Sequence, residues 1–324
     1  MEDLSKLLKS FKGKRVLIVG DLMLDEYYSG EISRVSPEAP VPIVNASSHY
    51  FCLGGAANVA NNVVALGGEA DVVGLVGRDE AGRRMRKLAA SAGIGMANSV
   101  EDASRPTTKK MRILGHGRHM IRVDEEVAIP CSKAIGAKIL KSFFRELPNA
   151  DAVVVSDYNK GAITKGIANA VVGGAKKRGI PSVVDSKNYL NYGISKASIL
   201  KPNLLELSKE TGIGISSTAD AKKAGRDLFL RLRPLGLIVT MGEKGMLLVE
   251  NNDSLLIPGI RAKAVDVSGA GDSVAAALAL CLACKAGLRD SASVANLAAA
   301  VVVEKVGTAA PTISEIMALK MRSG

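Results

Sequence analysis

Tryptophan is absent from the 324-residue chain, and Phe, Trp and Tyr together make up only 3% of it. Proteins that hold single strands of nucleic acid stack bases on aromatic side chains, so the net charge of +11 gives no nucleic-acid partner here. The 43 Lys and Arg residues are dispersed, and their densest runs, Arg83-Arg84-Met85-Arg86-Lys87 and Lys176-Lys177-Arg178, fall in helical patterns as solvated faces. Such a surplus suits small anionic substrates instead. Cysteine is also scarce. Cys52, Cys131, Cys281 and Cys284 have neither the even spacing of a disulfide framework nor the paired Cys/His spacing of a zinc site, so reduced thiols are expected. Apolar stretches such as Val274 to Ala283 are far shorter than the roughly 20 residues of a membrane span. Met1 to Gly13 is charged rather than a signal peptide, and a cytoplasmic protein without a membrane partner is expected. Two nucleotide motifs are missing, GxxxxGK[ST] and GxGxxG; Gly212-Ile213-Gly214 and Gly115-His116-Gly117 lack the third glycine. A bound phosphate must be held some other way.

What is present is a regular alternation. Apolar, β-branched runs at Arg15 to Gly20, Asp71 to Val76, Ala152 to Ser156, Ser182 to Asp185, Ile199 to Lys201, Leu237 to Thr240 and Met246 to Glu250 predict strands. Helical spacing falls between them, at Ala57 to Leu66, Glu80 to Ala92, Ile163 to Arg178, Leu204 to Thr211 and Ala219 to Leu232. The pattern implies an α/β fold, a mostly parallel central sheet covered by helices on both faces. No repeat or Pro/Gly/Ser linker divides the chain, so residues 1–324 read as a single domain. Ligands on such sheets gather beyond the carboxyl ends of the strands. Those ends are polar: Asp21 and Asp25, Ser156-Asp157-Tyr158, Asp185-Ser186-Lys187, Lys201-Pro202-Asn203 and Thr240-Met241-Gly242.

Two segments break the alternation, 26–50 and 105–126. The first contains Ser36-Pro37-Glu38-Ala39-Pro40-Val41-Pro42, whose prolines exclude helix and central strand. They are read as a small β lid that could exclude water from a phosphoryl-transfer site, with decorated surface loops as the plainer alternative.

The run Asp266-Val267-Ser268-Gly269-Ala270-Gly271-Asp272 precedes a small apolar helix. Its small residues let the backbone aim N–H groups at one point, where the helix N-terminus adds its positive dipole end. A carboxylate beside a bound phosphate is repelled by it, so Asp272 there suggests a base for the attacking group. A helix cap is the alternative. Gly54-Gly55-Ala56-Ala57-Asn58 is a second glycine-opened helix start, with Asn58 able to bond a hydroxyl.

Gly54-Gly55, Asn203-Leu204-Leu205-Glu206 and Asp266 to Asp272, in that order, resemble the three motifs of the ribokinase-like carbohydrate kinases, the PfkB family, with Val267 where Thr is usual. The similarity runs over essentially the whole chain. Within that family, Gly20-Asp21-Leu22-Met23-Leu24-Asp25, Ser33 to Pro42, Ser156 to Gly161 and Asp185-Ser186-Lys187 are similar to the D-glycero-β-D-manno-heptose 7-phosphate kinases of lipopolysaccharide core synthesis. Relatives often carry a nucleotidyltransferase domain with His-x-Gly-His. His116-Gly117-Arg118-His119 has another order and reads as a surface coincidence, so a stand-alone kinase is expected.

The resemblance implies ATP with Mg2+ and phosphorylation of the anomeric C1 hydroxyl of a sugar phosphate. Asp272 is then the general base, and Gly269, Ala270 and Gly271 supply the anion hole. Asn203 and Glu206 are expected near the nucleotide phosphates, Glu206 ordering metal-bound water, with Thr240, Gly242, Gly245 and Asn296 on the nucleotide side. Asp21, Asp25, Asn58 and the Gly54-Gly55 pair are expected around the sugar. Lys160 and Lys187, then Arg34, Lys109 and Arg112, are the candidates for the acceptor's phosphate. Ala56 stands where plain ribokinase-like enzymes commonly have Lys, in keeping with a different acceptor. The resemblance also implies a homodimer through the lid. A kinase for another sugar or nucleoside, and a non-catalytic sugar-binding protein, are the alternatives.

Overall fold

The computed structural model describes residues 2–251 and 253–323. In chain order its strands are β1 (Arg15–Gly20), β2 (Leu22–Val35), β3 (Pro42–Gly55), β4 (Glu69–Val76), β5 (Val100–Glu101), β6 (Thr108–Gly115), β7 (Arg118–Glu125), β8 (Ala152–Ser156), β9 (Ser182–Asp185), β10 (Ile199–Leu200), β11 (Gly236–Thr240), β12 (Gly245–Glu250) and β13 (Asp253–Pro258). The helices are α1 (Glu2–Lys9), α2 (Ala56–Ala65), α3 (Glu80–Ser91), α4 (Lys133–Glu146), α5 (Lys165–Lys177), α6 (Tyr189–Tyr192), α7 (Leu204–Thr211), α8 (Thr218–Leu232), α9 (Ala270–Ala283), α10 (Leu288–Val302) and α11 (Ile313–Ser323).

Among the described residues a nine-stranded sheet runs in the order β13-β12-β11-β10-β9-β8-β1-β4-β5. It is parallel from β5 to β11 and antiparallel where β12 and β13 extend it. Val, Ile and Leu fill the central strands because both faces are buried. On β1, Val16 and Ile18 enter one core with α2, α9 and α10, whereas Leu17 and Val19 enter the other with α4, α5 and α8. This period of two splits one apolar run between two helix layers.

The sheet order also sets the site. In register, Gly20 lies beside Ser156, Ser156 beside Asp185, and Val184 beside Leu200. Asp21, Asp157, Asp185 and Lys201 therefore crowd one crest, and all four are buried.

A separate four-stranded sheet, ordered β3-β2-β6-β7, stands off this crest. Its strands begin earlier than the expected 26 and continue to 55, because β2 follows β1 after the single residue Asp21 and β3 runs straight into α2. The proline segment is the turn between β2 and β3, and Pro42 is the first residue of an edge strand, where its missing N–H costs no ladder bond. Asp25, Lys110 and Asp124 share a row across β2, β6 and β7, so they lie on one face. That face meets the body, with the Tyr27 ring against Gly307. No helix among the described residues is long and apolar enough to cross a membrane. All four cysteines are free.

Candidate active site

Asp272 lies in the first turn of α9, 2% exposed. Gly269 caps that helix at φ 79°, and a Cβ there would stand 2.7 Å from Asn58 Nδ2, so glycine is needed both for the turn and for the approach of Asn58. Asn58 donates to Asp272 Oδ2 at 2.7 Å, and the Tyr158 hydroxyl donates to Oδ1 at 2.5 Å. Burial drives the Asp272 carboxyl up to about 7, opposed by those two hydrogen bonds. Behind Asn58, Asn62 donates to its carbonyl at 2.8 Å and accepts from Ser273 at 2.5 Å, tying α2 to α9.

The anion hole differs in part from expectation. The N–H of Ala270 turns to the Val267 carbonyl at 3.3 Å, closing a local turn. Those of Gly269 and Gly271 have no protein acceptor among the described residues and remain for a ligand. A cation stands beside them: Lys201 Nζ lies 3.4 Å from where a Cβ on Gly271 would be, and is paired with Asp185 at 2.9 Å. Burial raises the Asp185 carboxyl, with Lys201 pulling it down.

Asn203 and Glu206 form a capping box at the start of α7. Asn203 Oδ1 accepts the Glu206 amide at 2.8 Å, and Glu206 Oε2 accepts the Asn203 amide at 2.9 Å. The other Glu206 oxygen is bonded by Lys187. The structure thus places Lys187, a candidate for the acceptor's phosphate, against Glu206 on the α7 side. Burial works against its charge, yet Asp185 and Glu206 raise its pKa.

The nucleotide-side residues separate in the structure. Thr240 bridges to Asn203, and its amide donates to the Pro202 carbonyl at 3.0 Å. Gly242, at φ 61°, has open space around it. Gly245, at φ 92°, would drive a Cβ to 2.1 Å from the Ile257 carbonyl oxygen, so glycine is required there by the close contact with β13. Asn296 donates to the Pro258 carbonyl at 2.8 Å and lines an open groove of about 1170 Å³ with Leu4, Gly259, Arg261 and Leu297.

On the acceptor side, Asp21 is engaged by its own backbone surroundings. Its two oxygens accept the amides of Tyr158, Lys160 and Ala162 at 2.8 to 2.9 Å, so it fastens the loop after β8 rather than presenting a free carboxylate. Burial lifts it to about 6 even so. Gly55, the last residue of β3, caps α2 at φ 56° with no room for a Cβ beneath the Asp21 carbonyl, and a Cβ on Gly54 would meet Asp25 at 2.7 Å. Asp25 pairs with Arg112 at 2.6 Å, both buried. Lys160 bonds Glu126 at 2.6 Å. Lys109 points to the opposite face of the lid, toward Glu26 and Glu125. Arg34 is exposed and nine residues along β2 from Asp25, on the order of 30 Å at strand rise. The structure does not bring these two candidates to Asp25 and Arg112.

Tyr158, Lys201, Asp185 and Asn62 were not singled out as site residues from the sequence. Three of them do stand at the polar strand ends, and Asn62 is one helical turn from Asn58. His116 lies in the turn between β6 and β7 and His119 is the second residue of β7, both exposed.

The chain and its fold resemble those of known proteins. Residues 14–315 match the pfkB family carbohydrate kinase profile. The chain is 42% identical over 322 residues to the Bifunctional protein HldE of Caulobacter vibrioides, covering 98% of this chain and 66% of that protein. It is 40% identical over 318 residues to the Bifunctional protein HldE of Bradyrhizobium diazoefficiens, covering 97% and 64%. The chain thus spans slightly less than two thirds of the length of these relatives. Among solved structures it is similar to phosphofructokinase-2 from Escherichia coli in complex with substrates and products, with a TM-score of 0.79, 20% identity and coverage of 96% and 99%. Arabidopsis thaliana ribokinase complexed with ribose and ATP aligns with a TM-score of 0.74, 22% identity and coverage of 95% and 98%. The fold is ribokinase-like, and the chain belongs to the pfkB family of carbohydrate kinases, phosphotransferases whose acceptor is an alcohol group.

Proposed function

We propose that the chain transfers the γ-phosphoryl group of ATP to the anomeric C1 hydroxyl of D-glycero-β-D-manno-heptose 7-phosphate, forming the 1,7-bisphosphate. The observation that carries this is Asp272: a carboxyl raised by burial to a near-neutral pKa and oriented by two donors, at a helix start with free N–H groups and a buried lysine. A base works best with a pKa near the working pH. The C1 hydroxyl takes the place of Tyr158 on Oδ1 and loses its proton to Asp272 as its oxygen bonds the γ-phosphorus. The bond from that phosphorus to the bridging oxygen breaks, and ADP leaves. The Gly269 and Gly271 amides and Lys201 hold the charge on the transferring group. The groove beside Asn296, which adjoins the turn at 243–245 through Gly259, is the place for the adenosine.

Among the described residues no group of three His, Cys, Asp or Glu could hold a metal by itself. Magnesium is commonly held by one or two carboxylates together with substrate phosphates, and the Asp185 and Glu206 carboxylates, set among Lys187 and Lys201, fit that role through water. Bound there, it neutralises phosphate charge. The heptose acceptor is supported by Ser33 to Pro42 and the loop Ser156 to Gly161, and by identity near 40% to the two relatives over nearly the whole chain. Exposed Met120, Ile121 and Val123 on the edge strand β7 support pairing of two copies through the lid, which sedimentation would test.

The deciding experiment is a coupled ATP-consumption assay with heptose 7-phosphate, ribose, fructose 6-phosphate and adenosine as competing acceptors. Preference for heptose 7-phosphate is expected. Preference for any other would remove the heptose assignment and leave the kinase.

A further inference from the structure

The loop after β8 joins two chemistries within three residues. Tyr158 touches the base, and Lys160, its backbone fastened to Asp21, reaches the lid instead. There Lys160 Nζ bonds Glu126 Oε1 at 2.6 Å, while Lys110 Nζ bonds Glu126 Oε2 at 3.2 Å and Asp124 at 3.0 Å. Arg122 completes the cluster with two bonds to Asp124, at 2.8 and 3.0 Å. One carboxylate thus bridges a body lysine and a lid lysine, one oxygen to each. Against the opposing cost of burial, those hydrogen bonds hold the Glu126 carboxyl below its ordinary range.

We infer that Lys110 and Lys160 form the subsite for the phosphate that the acceptor already carries, and that the Glu126 carboxylate holds the place until that phosphate displaces it. This rests on the reading of the acceptor as a sugar phosphate. Three observations favour an anion of this class. Without Glu126 the cluster retains Lys110, Lys160 and Arg122 against Asp124, a net charge of two positive, which matches a phosphate monoester dianion. Glu126 follows β7 in a stretch without regular structure, so its departure breaks no strand pairing. Lys110 shares the lid face of Asp25 and Arg112, which turns toward the body, so sugar hydroxyls and phosphate are met by one surface. Phosphate binding would also join lid to body through the acceptor itself.

The test compares heptose 7-phosphate with the same heptose lacking phosphate, in the intact chain. Lys160→Gln and Lys110→Gln should each raise the KM for the phosphorylated sugar roughly 10- to 100-fold, the loss of a charge-assisted hydrogen bond, with the KM for ATP and for the unphosphorylated sugar within about twofold. Glu126→Gln should lower the KM for the phosphorylated sugar several-fold, an effect that misfolding cannot mimic. Equal changes for both sugars, or a Glu126→Gln enzyme with a raised KM, would overturn the subsite. If neither heptose is phosphorylated, the proposed function fails by itself. Inorganic phosphate binding by calorimetry then decides the subsite: it should weaken in the Lys110→Gln/Lys160→Gln protein, and unchanged binding would sink it.

Discussion

Tyr158 reaches Asp272 across 114 residues of sequence and donates its hydroxyl to the carboxylate at 2.5 Å. The contact joins the loop after β8 to the start of α9, and with Asn58 on α2 it fixes both oxygens of the proposed base. The Lys187 ammonium lies over the Tyr158 ring, 5.5 Å from its centre, within cation–π range.

Removing this donor alters the base itself. A hydrogen bond to the charged form lowers a carboxyl pKa, so Tyr158→Phe should move the acid limb of the pH profile of kcat/KM upward from about 7 by about one pH unit. An unmoved limb with an equal loss at every pH would mean that Tyr158 only packs.

Asp272→Asn should lower kcat by roughly 100- to 10,000-fold while leaving ATP binding near wild type. Stability should respond with a definite sign. The folded carboxyl titrates at about 7 rather than 3.8, so the fold favours its protonated form, and that contribution is lost as pH rises through 7. Between pH 5 and pH 8 the wild-type melting temperature should therefore fall relative to the Asn variant. Parallel melting curves across that range would contradict the assigned burial.

Arg112→Met should strip the partner from a buried carboxylate. Asp25 and Arg112 side chains are 4% and 10% exposed, and breaking such a pair costs about 3–5 kcal/mol. Urea unfolding reads this directly, and a change below about 1 kcal/mol would show that water reaches Asp25.

Gly269→Ala should harm chemistry as well as stability. Its left-handed φ costs an alanine about 1–2 kcal/mol, and the added methyl would push Asn58 from the base. A lowered kcat with the KM for ATP unchanged is expected; a purely thermal effect would detach Asn58 from catalysis.

The strands β1, β8 and β9 begin and end where their β-branched runs do, because burial on both faces demands continuous apolar sequence. The inner halves of β2 and β3 were less legible. Leu22 to Tyr27 are buried without a break and so carry no one-sided alternation, and the strand lengths are fixed by the pairing of β2 with β3 and β6. Helix α10 escaped notice for the opposite reason: packed on several sides, its Ala, Val and Leu positions lack the one-sided stripe by which a surface helix is recognised. Helix α4, capped by Ser132, does carry such a stripe at Ile139 and Phe143.

Sequence alone determined the glycines at 269 and 271, the carboxylate at 272 and the order of the motifs, because a glycine-rich turn with a carboxylate at a helix start leaves a local signature. It also marked the polar strand ends as candidates. Which of those ends act together was decided by the sheet order, which sets 21, 157, 185 and 201 side by side, and by the packing of α2 and the loop after β8 against α9. Local pattern specifies which groups a chain offers. Only strand pairing and burial decide which charges meet, and so why Asp21 fastens a loop, Lys187 turns to Glu206, and Asp272 is left with a pKa fit for a base.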